Sequence, residues 1–148
     1  MKKKVLVTGG AGFIGSNFCN LNKAEYEIVA LDNLFLGSKD NLDADTRFIE
    51  GDACRRADLE KAGSDFDFIV HLAGSSSAPM FTEGGITAPY VNSVQSFTQV
   101  LDFAAATGVK KVLYASTSSL YGNNPLPLLE SQHVTPQNHY AVTKFLYE

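Results

Sequence analysis

The 148 residues are 45% apolar and 19% charged, a balance typical of one folded domain and not of a disordered chain. Twelve basic and sixteen acidic residues give a formal charge of -4, which favours neither nucleic acid nor an anionic membrane as a partner. No apolar run approaches the roughly 20 residues of a membrane span. Cys19 and Cys54 have neither disulfide-framework nor metal-ligand spacing. We therefore expect a cytoplasmic domain over residues 1–148, without a metal site.

Short apolar runs alternate with helical patterns along the chain. Apolar strands separated by helices indicate a parallel sheet covered on both faces. Right-handed crossovers then predict an α/β, Rossmann-like doubly wound sheet with the strand order 3-2-1-4-5. The five predicted strands are 4–8, 27–32, 47–50, 67–72 and 111–116.

Helices are predicted between these strands from the spacing of apolar residues. Short helices are expected from Phe13 and over 57–63, a long one over about 88–107, and a last one from about Asn138. The apolar residues at helical spacing are Phe13, Ile14, Phe18 and Leu21 in the first helix, and Val91, Val94, Leu101 and Ala105 on one face of the long helix.

Two connections, 73–87 and 117–137, exceed the usual loop length. Long loops in compact domains tend to be functional. Both leave the carboxyl ends of predicted strands, where open parallel sheets bind ligands. We therefore expect both connections to contribute to a site.

A glycine-rich turn, TGGAGFIG over residues 8–15, joins the first strand to the first helix. Glycines let the backbone approach a pyrophosphate, and the helix start offers N–H groups to it. Asp32 ends the second strand 17 residues after Gly15, where a carboxylate accepts ribose hydroxyls and repels a 2′-phosphate. No arginine adjoins Asp32, so NAD is favoured over NADP. A structural turn with a solvated Asp32 is the weaker interpretation.

Two further patterns leave alternatives open. Asp52 follows the third strand, where it reaches an adenine amino group or is an ordinary turn residue. Four consecutive hydroxyl residues, 116–119, end the fifth strand and indicate either a polar turn or hydrogen bonds to a substrate alcohol.

Tyr140 and Lys144 are four residues apart, on one face of the last predicted helix. A tyrosine with a pKa near ~10 is a poor base at neutral pH. A nearby ammonium stabilises the phenolate and brings that pKa towards the working range. The pair is common by chance, but behind a dinucleotide turn it indicates an acid–base site.

Together these motifs resemble the extended short-chain dehydrogenases/reductases. More narrowly, the chain is similar to the NAD-dependent nucleotide-sugar epimerase/dehydratase family, nearest to its UDP-glucose 4-epimerases. The motifs that carry the resemblance, in chain order, are TGGAGFIG, Asp32-Asn33, Gly51-Asp52, His71-Leu72-Ala73-Gly74, Asn92, STSSLYG and Tyr140-x3-Lys144.

The resemblance implies roles for individual residues. Thr117, Tyr140 and Lys144 take the catalytic positions, and Lys144 also binds the nicotinamide ribose. The cofactor is NAD. Its pyrophosphate is held at Gly9, Gly12 and Gly15, its adenosine ribose at Asp32 and Asn33, and its adenine at Asp52 and Ala53. Leu72, Ala73 and Gly74 line the cofactor. The implied cofactor-binding set also includes Phe13, Ile14 and Asn92, and Asn92 is expected to be a buried structural polar residue.

The implied reaction is epimerisation of a nucleotide sugar through a transient keto sugar. The alternatives are a dehydrogenase or reductase, a dehydratase, and a non-catalytic NAD-binding domain. Ser118 and Ser119 stand where dehydratases of the family carry an acid, which favours epimerisation over loss of water. The resemblance also implies a homodimer through the helices around 88–107 and 138–148.

The family continues beyond the catalytic helix into a carboxyl-terminal substrate domain, whereas this sequence ends at Glu148. We therefore expect these 148 residues alone to bind NAD weakly and not to process a sugar.

Overall fold

The computed structural model describes residues 2–83 and 85–148. Its sheet has five parallel strands in the order β3-β2-β1-β4-β5, which confirms the predicted topology. None of the helices in the described segments has the length and hydrophobicity needed to cross a bilayer. The strands are β1 (Lys3–Thr8), β2 (Tyr26–Asp32), β3 (Arg47–Glu50), β4 (Phe68–His71) and β5 (Lys111–Tyr114), and the helices are α1 (Phe13–Asn22), α2 (Arg56–Ala62), α3 (Thr87–Thr107) and α4 (His139–Phe145).

Side chains alternate between the two faces of the sheet, as the pleat of a strand requires. In β1, Leu6 belongs to one buried cluster, and Val5 and Val7 belong to another. The first cluster includes residues of α2 and α3, and the second includes Cys19 of α1. Helices therefore cover both faces, as predicted.

The described chain forms two compact units. The first comprises 2–73 and 95–114, and contains the sheet, α1, α2 and the carboxyl-terminal part of α3. The second comprises 74–83, 85–94 and 115–148, and contains the amino-terminal part of α3, α4 and two single-turn 3-10 helices, Ala78–Phe81 and Ser118–Tyr121. The glycine turn lies in the first unit, and Thr117, Tyr140 and Lys144, which are predicted to be catalytic, lie in the second.

The apolar spacing in α1 does not identify its buried face. Phe13 and Leu21 are exposed, whereas Gly15, Ser16 and Cys19 are buried. Of the four predicted residues, Phe18 is half-buried against the core, whereas Ile14 is exposed like Phe13 and Leu21. The fully buried positions of the helix are therefore small residues.

The predicted face of α3 is also wrong. Val91 and Leu101 are 51% and 42% exposed. The buried face is offset from the predicted one and is carried by Ser93, Ser96, Phe97, Val100, Phe103 and Ala104.

Element ends differ from the predictions at the carboxyl side. β5 stops at Tyr114 rather than at residue 116, and α4 stops at Phe145 rather than continuing to residue 148. Both long connections contain a single turn of 3-10 helix.

Candidate functional site

The glycine turn after β1 is closely surrounded by backbone. Gly9 has a φ of +71°, and a Cβ there would lie 2.7 Å from both the carbonyl carbon of Leu72 and the backbone nitrogen of Ala73. A Cβ on Gly15 would clash with the carbonyl oxygen of Gly9. Only glycine satisfies both positions, so the turn packs closely on its surroundings through backbone at residues 9 and 15.

The amino end of α1 offers hydrogen-bond donors. Its N-cap, Gly12, provides no side-chain cap, and the first N–H groups of a helix have no intrahelical acceptor. These groups belong to Phe13, Ile14 and Gly15, and the Phe13 side chain is 84% exposed and does not fold back into the helix. The arrangement suits the pyrophosphate of a dinucleotide, which needs N–H donors and the positive end of a helix dipole.

Asp32 lies at the end of β2 and is buried. Its Oδ2 accepts a hydrogen bond from the backbone N–H of Ala11 at 3.1 Å, and its Oδ1 accepts one from that of Leu34 at 2.8 Å. Each carboxylate oxygen has lone pairs for a second donor, so ribose hydroxyls have acceptors here. Asn33 is exposed, and its Oδ1 accepts the N–H of Phe35 at 3.1 Å.

The segment after Asp32 lies against the glycine turn. A Cβ on Gly37 would approach the carbonyl carbon of Ala11 to 2.6 Å and the nitrogen of Gly12 to 2.9 Å. The Ala11 carbonyl accepts the N–H of Ser38 at 3.1 Å and the side-chain amide of Asn41 at 2.9 Å. This contact was not predicted from the sequence. The one feature of the sequence that could have indicated it is Gly37, five residues after Asp32.

Asp52 and Ala53 form the turn between β3 and α2. Asp52 Oδ1 accepts the N–H of Cys54 at 2.9 Å, and the Asp52 N–H donates to Asp58 Oδ2 at 3.0 Å. The side chain of Ala53 is buried in the core, so a contact with adenine would use its backbone.

The carboxyl end of β4 carries Leu72 and Ala73, which are both half-buried. The Leu72 N–H donates to the carbonyl of Thr8 at 2.9 Å, which fixes this end of the strand beside the glycine turn. In the second unit, Gly74 has a φ of +132°. Asn92 of α3 is half-buried rather than buried as expected, because the helix face that it occupies is only partly covered.

Tyr140 and Lys144 both lie on α4, which begins at a strong cap. Asn138 Oδ1 accepts the N–H of Ala141 at 2.8 Å. The Tyr140 ring packs against Phe81, with ring centroids 6.1 Å apart. Phe81 is only 1% exposed, so a rigid aromatic contact fixes one side of the phenol ring.

Lys144 is buried, and its burial lowers the pKa of its ammonium. Its Nζ lies 5.0 Å from the centre of the Tyr147 ring. In the part of the chain that the structure describes, no hydrogen bond joins this ammonium to the phenol of Tyr140, although four residues separate them on one helix. Phe81 and Tyr147 were not singled out from the sequence, because neither belongs to a motif.

Thr117 caps the 3-10 helix Ser118–Tyr121. Its Oγ1 accepts the N–H of Ser119 at 3.2 Å. Ser116 Oγ donates to Glu148 Oε1 at 2.6 Å. Ser116 and Thr117 therefore make hydrogen bonds typical of a polar turn, and the Thr117 O–H remains available as a donor to a substrate.

A cavity of about 680 Å³ opens within the second unit. One wall is the segment around Phe81 and the other is the start of α4, so the cavity adjoins the aromatic contact that holds Tyr140. Its lining residues are Ala78, Pro79, Phe81, Thr82, Glu83, Pro136, Gln137, Asn138, His139 and Val142. Across residues 2–83 and 85–148, no cluster of three or more His, Cys, Asp or Glu side chains has the geometry of a metal site.

A family model described as the NAD dependent epimerase/dehydratase family matches residues 5–148. This chain belongs to that family. The match includes the glycine turn, Asp32, Thr117, Tyr140 and Lys144, so this family member carries the motifs on which the predicted resemblance depends.

Among curated relatives, the family member is 37% identical to the low-salt glycan biosynthesis protein Agl12 of Haloferax volcanii, over 95% of this chain and 48% of that protein. It is 32% identical to the UDP-glucose 4-epimerase of Corynebacterium glutamicum, over 95% of this chain and 43% of that enzyme. The chain therefore spans about half the length of these relatives.

Solved structures show the same fold. The UDP-N-acetylglucosamine 4-epimerase of Methanobrevibacter ruminantium, in complex with UDP-N-acetylmuramic acid, matches with a TM-score of 0.90 and 34% identity, over 100% of this chain and 49% of that one. The UDP-glucose 4-epimerase of Thermus thermophilus, in complex with NAD, also matches with a TM-score of 0.90, at 29% identity, over 97% of this chain and 48% of that one.

Proposed function

We propose that this chain is the cofactor-binding part of an NAD-dependent nucleotide-sugar epimerase of the UDP-glucose 4-epimerase type, which works through a transient keto sugar. Support comes from the family match over residues 5–148 and from relatives that are UDP-glucose and UDP-N-acetylglucosamine 4-epimerases. The main supporting observation is that the first N–H groups of α1 have no side-chain cap and follow the glycine turn. At Gly15, next to these groups, there is no room for a side chain.

The residues predicted to bind the cofactor fit NAD. Backbone donors of Phe13, Ile14 and Gly15 would bind the pyrophosphate, and Asp32 would accept the adenosine ribose hydroxyls beside Asn33. Asp52 and the backbone of Ala53 would contact adenine, while Leu72, Ala73, Gly74 and Asn92 contribute to the cofactor's surroundings. When bound, NAD supplies the acceptor and later the donor of the two electrons removed from the sugar.

Thr117, Tyr140 and Lys144 supply the acid–base chemistry. The Thr117 O–H has no acceptor fixed by its cap bond, so it is free to donate to the sugar oxygen. Tyr140 takes the proton from the sugar hydroxyl and later returns it. The Lys144 ammonium favours the phenolate form of Tyr140 when the two approach, and it also binds the nicotinamide ribose.

Ser118 and Ser119 favour epimerisation over dehydration. Loss of water needs a carboxyl group beside the reacting carbons, and these two positions offer hydroxyls only. A dehydrogenase or reductase would use the same three catalytic residues, and a non-catalytic NAD-binding domain would use none. The product assay below separates these cases.

The test is conversion of UDP-glucose deuterated at C4, by a chain extended to the length of its relatives, followed by mass spectrometry and NMR. We expect UDP-galactose of unchanged mass with the deuterium retained at C4, and no net reduction of NAD. Tyr140→Phe removes only the phenol oxygen and should abolish nearly all turnover with NAD still bound. A product lighter by one water, or stoichiometric reduction of NAD, would contradict epimerisation.

We also propose that the protein is a cytoplasmic homodimer that associates through the regions around 88–107 and 138–148. Leu101 of α3 and Phe145 at the end of α4 expose apolar surface, and closed pairs are the commonest oligomers. Sedimentation velocity at high concentration should show a dimer. Replacing Leu101 with Lys should give a monomer, and a monomer in the unsubstituted chain would rule out this association.

A further inference from the structure

Tyr147 follows α4 and contacts the buried lysine of the catalytic pair. It is 7% exposed, and its hydroxyl donates to the carbonyl oxygen of Ser93 at 2.7 Å. Its ring lies beneath the Lys144 ammonium, with Nζ 5.0 Å from the ring centre. Lys144 itself is 8% exposed. All of these contacts lie within the second unit.

A largely buried ammonium needs a compensating group, because burial removes most of its water. Among the ion pairs of residues 2–83 and 85–148, none includes Lys144. The nearest carboxylate along the chain, Glu148, accepts the hydroxyl of Ser116. The negative face of an aromatic ring attracts a cation within about 6 Å of its centre, so the Tyr147 ring is the group that partly replaces water.

The orientation of the ring is fixed at its far end. The ring orientation is defined by the hydrogen bond from the Tyr147 hydroxyl to the Ser93 carbonyl on α3, and by the burial of the ring. A side chain that only filled space would need neither a ring face towards the ammonium nor a hydrogen-bonded hydroxyl. The geometry therefore links the position of the Lys144 ammonium to a defined point on α3.

We propose that Tyr147 is a positioning residue for Lys144: its ring holds the charged ammonium of this largely buried side chain, and its hydroxyl fixes that ring to the Ser93 carbonyl. The consequence for cofactor binding rests on the proposed function, in which Lys144 binds the nicotinamide ribose. Tyr147 acts through Lys144 and does not itself contact the cofactor.

The experiment compares Tyr147→Leu and Tyr147→Phe in the full 148-residue chain. NMR of 13C-methylated lysines over a pH titration gives the pKa of Lys144, whose signal is assigned by its loss in Lys144→Arg. Calorimetry gives the affinity for NAD. Phe145→Leu is the matched control, because it removes an exposed aromatic ring at the end of α4, two residues before Tyr147.

Leucine keeps the site apolar but removes the ring face. In Tyr147→Leu we expect the pKa of Lys144 to fall further, by about 0.5 to 1 unit, and NAD to bind about 3- to 10-fold more weakly. Tyr147→Phe keeps the ring but removes the hydrogen bond that fixes it to Ser93, so both measurements should change in the same direction as in Tyr147→Leu but by less. Phe145→Leu should change neither.

Two results would overturn the proposal. One is an unchanged Lys144 pKa in Tyr147→Leu. The other is an equal rise of that pKa in Tyr147→Leu and Tyr147→Phe. Such a rise would mean that both variants only admit water, and that burial alone determines the pKa of Lys144. A lowered pKa with unchanged NAD affinity would support the positioning of Lys144 and count against the cofactor role given to it by the proposed function. If thermal melting shows that Tyr147→Leu does not fold, Tyr147→Met provides the ring-free comparison.

Discussion

Asp32 Oδ2 accepts the backbone N–H of Ala11 at 3.1 Å, so the carboxylate at the end of β2 is bonded to the glycine turn after β1. Its other oxygen accepts the N–H of Leu34 at 2.8 Å. The residue predicted to select NAD therefore also shapes the turn that would hold the pyrophosphate. Stability and cofactor binding should change together when it is altered.

Asp32→Asn should destabilise the protein and weaken NAD binding. The amide keeps one acceptor oxygen but presents an NH₂ group to one of the two backbone N–H donors, which leaves a buried donor unsatisfied. We expect a loss of about 1–3 kcal/mol in the free energy of unfolding, measured by urea denaturation. The control is Asp102→Asn, at an exposed position of α3. Equal stability of the two variants would show that the Ala11 bond contributes nothing.

Gly37→Ala should disturb the glycine turn from outside the motif. Its Cβ would lie 2.6 Å from the carbonyl carbon of Ala11, and this contact is with backbone, which cannot rotate away. We expect a loss of about 1–3 kcal/mol in stability and weaker NAD binding by calorimetry. Leu36→Ala, at the exposed neighbouring position, should leave NAD affinity unchanged. Wild-type affinity in Gly37→Ala would mean that the segment does not constrain the turn.

Phe81→Leu should loosen Tyr140 without altering the acid–base groups. The ring contact at 6.1 Å disappears, and a smaller side chain leaves space in a fully buried position. The expected loss in the free energy of unfolding is about 1–3 kcal/mol. In a chain extended to its relatives' length, kcat should fall more than KM rises. If only the stability changes and kcat is unaltered, Phe81 contributes to packing and does not position Tyr140 for the reaction.

The ionisation of Asp58 should make the stability of the protein depend on pH. Asp58 lies beside the turn between β3 and α2, which is expected to contact adenine. The Asp52 N–H, and then the Lys61 ammonium, hold the pKa of Asp58 below its ordinary value of 3.8. A lowered folded-state pKa contributes stability above the ordinary value, and this contribution is lost as pH falls through the folded-state pKa. Asp58→Asn should therefore be less stable than the unsubstituted chain at pH 7, and the difference should shrink below about pH 4. Lys61→Ala should show part of the stability loss that Asp58→Asn shows at pH 7. If the stability difference between Asp58→Asn and the unsubstituted chain does not change with pH, the lowered pKa of Asp58 does not stabilise the fold.

The sheet was predictable because its signals are local and strong. Each strand is a short apolar run, and the turn over residues 8–15 constrains its own backbone through its glycines. The strand order followed from the handedness of crossovers. The family also followed from the sequence, because its motifs keep their order along the chain.

The helix faces were not predictable from apolar spacing alone. In α1, close approach to the glycine turn requires Gly15, and the large residue Phe13 is exposed. In α3, both Val91 and Phe97 are apolar, and only tertiary packing shows that Phe97 is the buried one. Contacts such as Gly37 with Ala11 join separate segments and have no local signature.

The selectivity of the 148-residue chain for NAD is measured by calorimetric titration with NAD and with NADP. We expect weak but measurable binding of NAD and weaker binding of NADP, because the Asp32 carboxylate repels a 2′-phosphate. Gly15→Ala should abolish binding of both. Equal or tighter binding of NADP, or NAD binding that survives Gly15→Ala, would contradict this expectation.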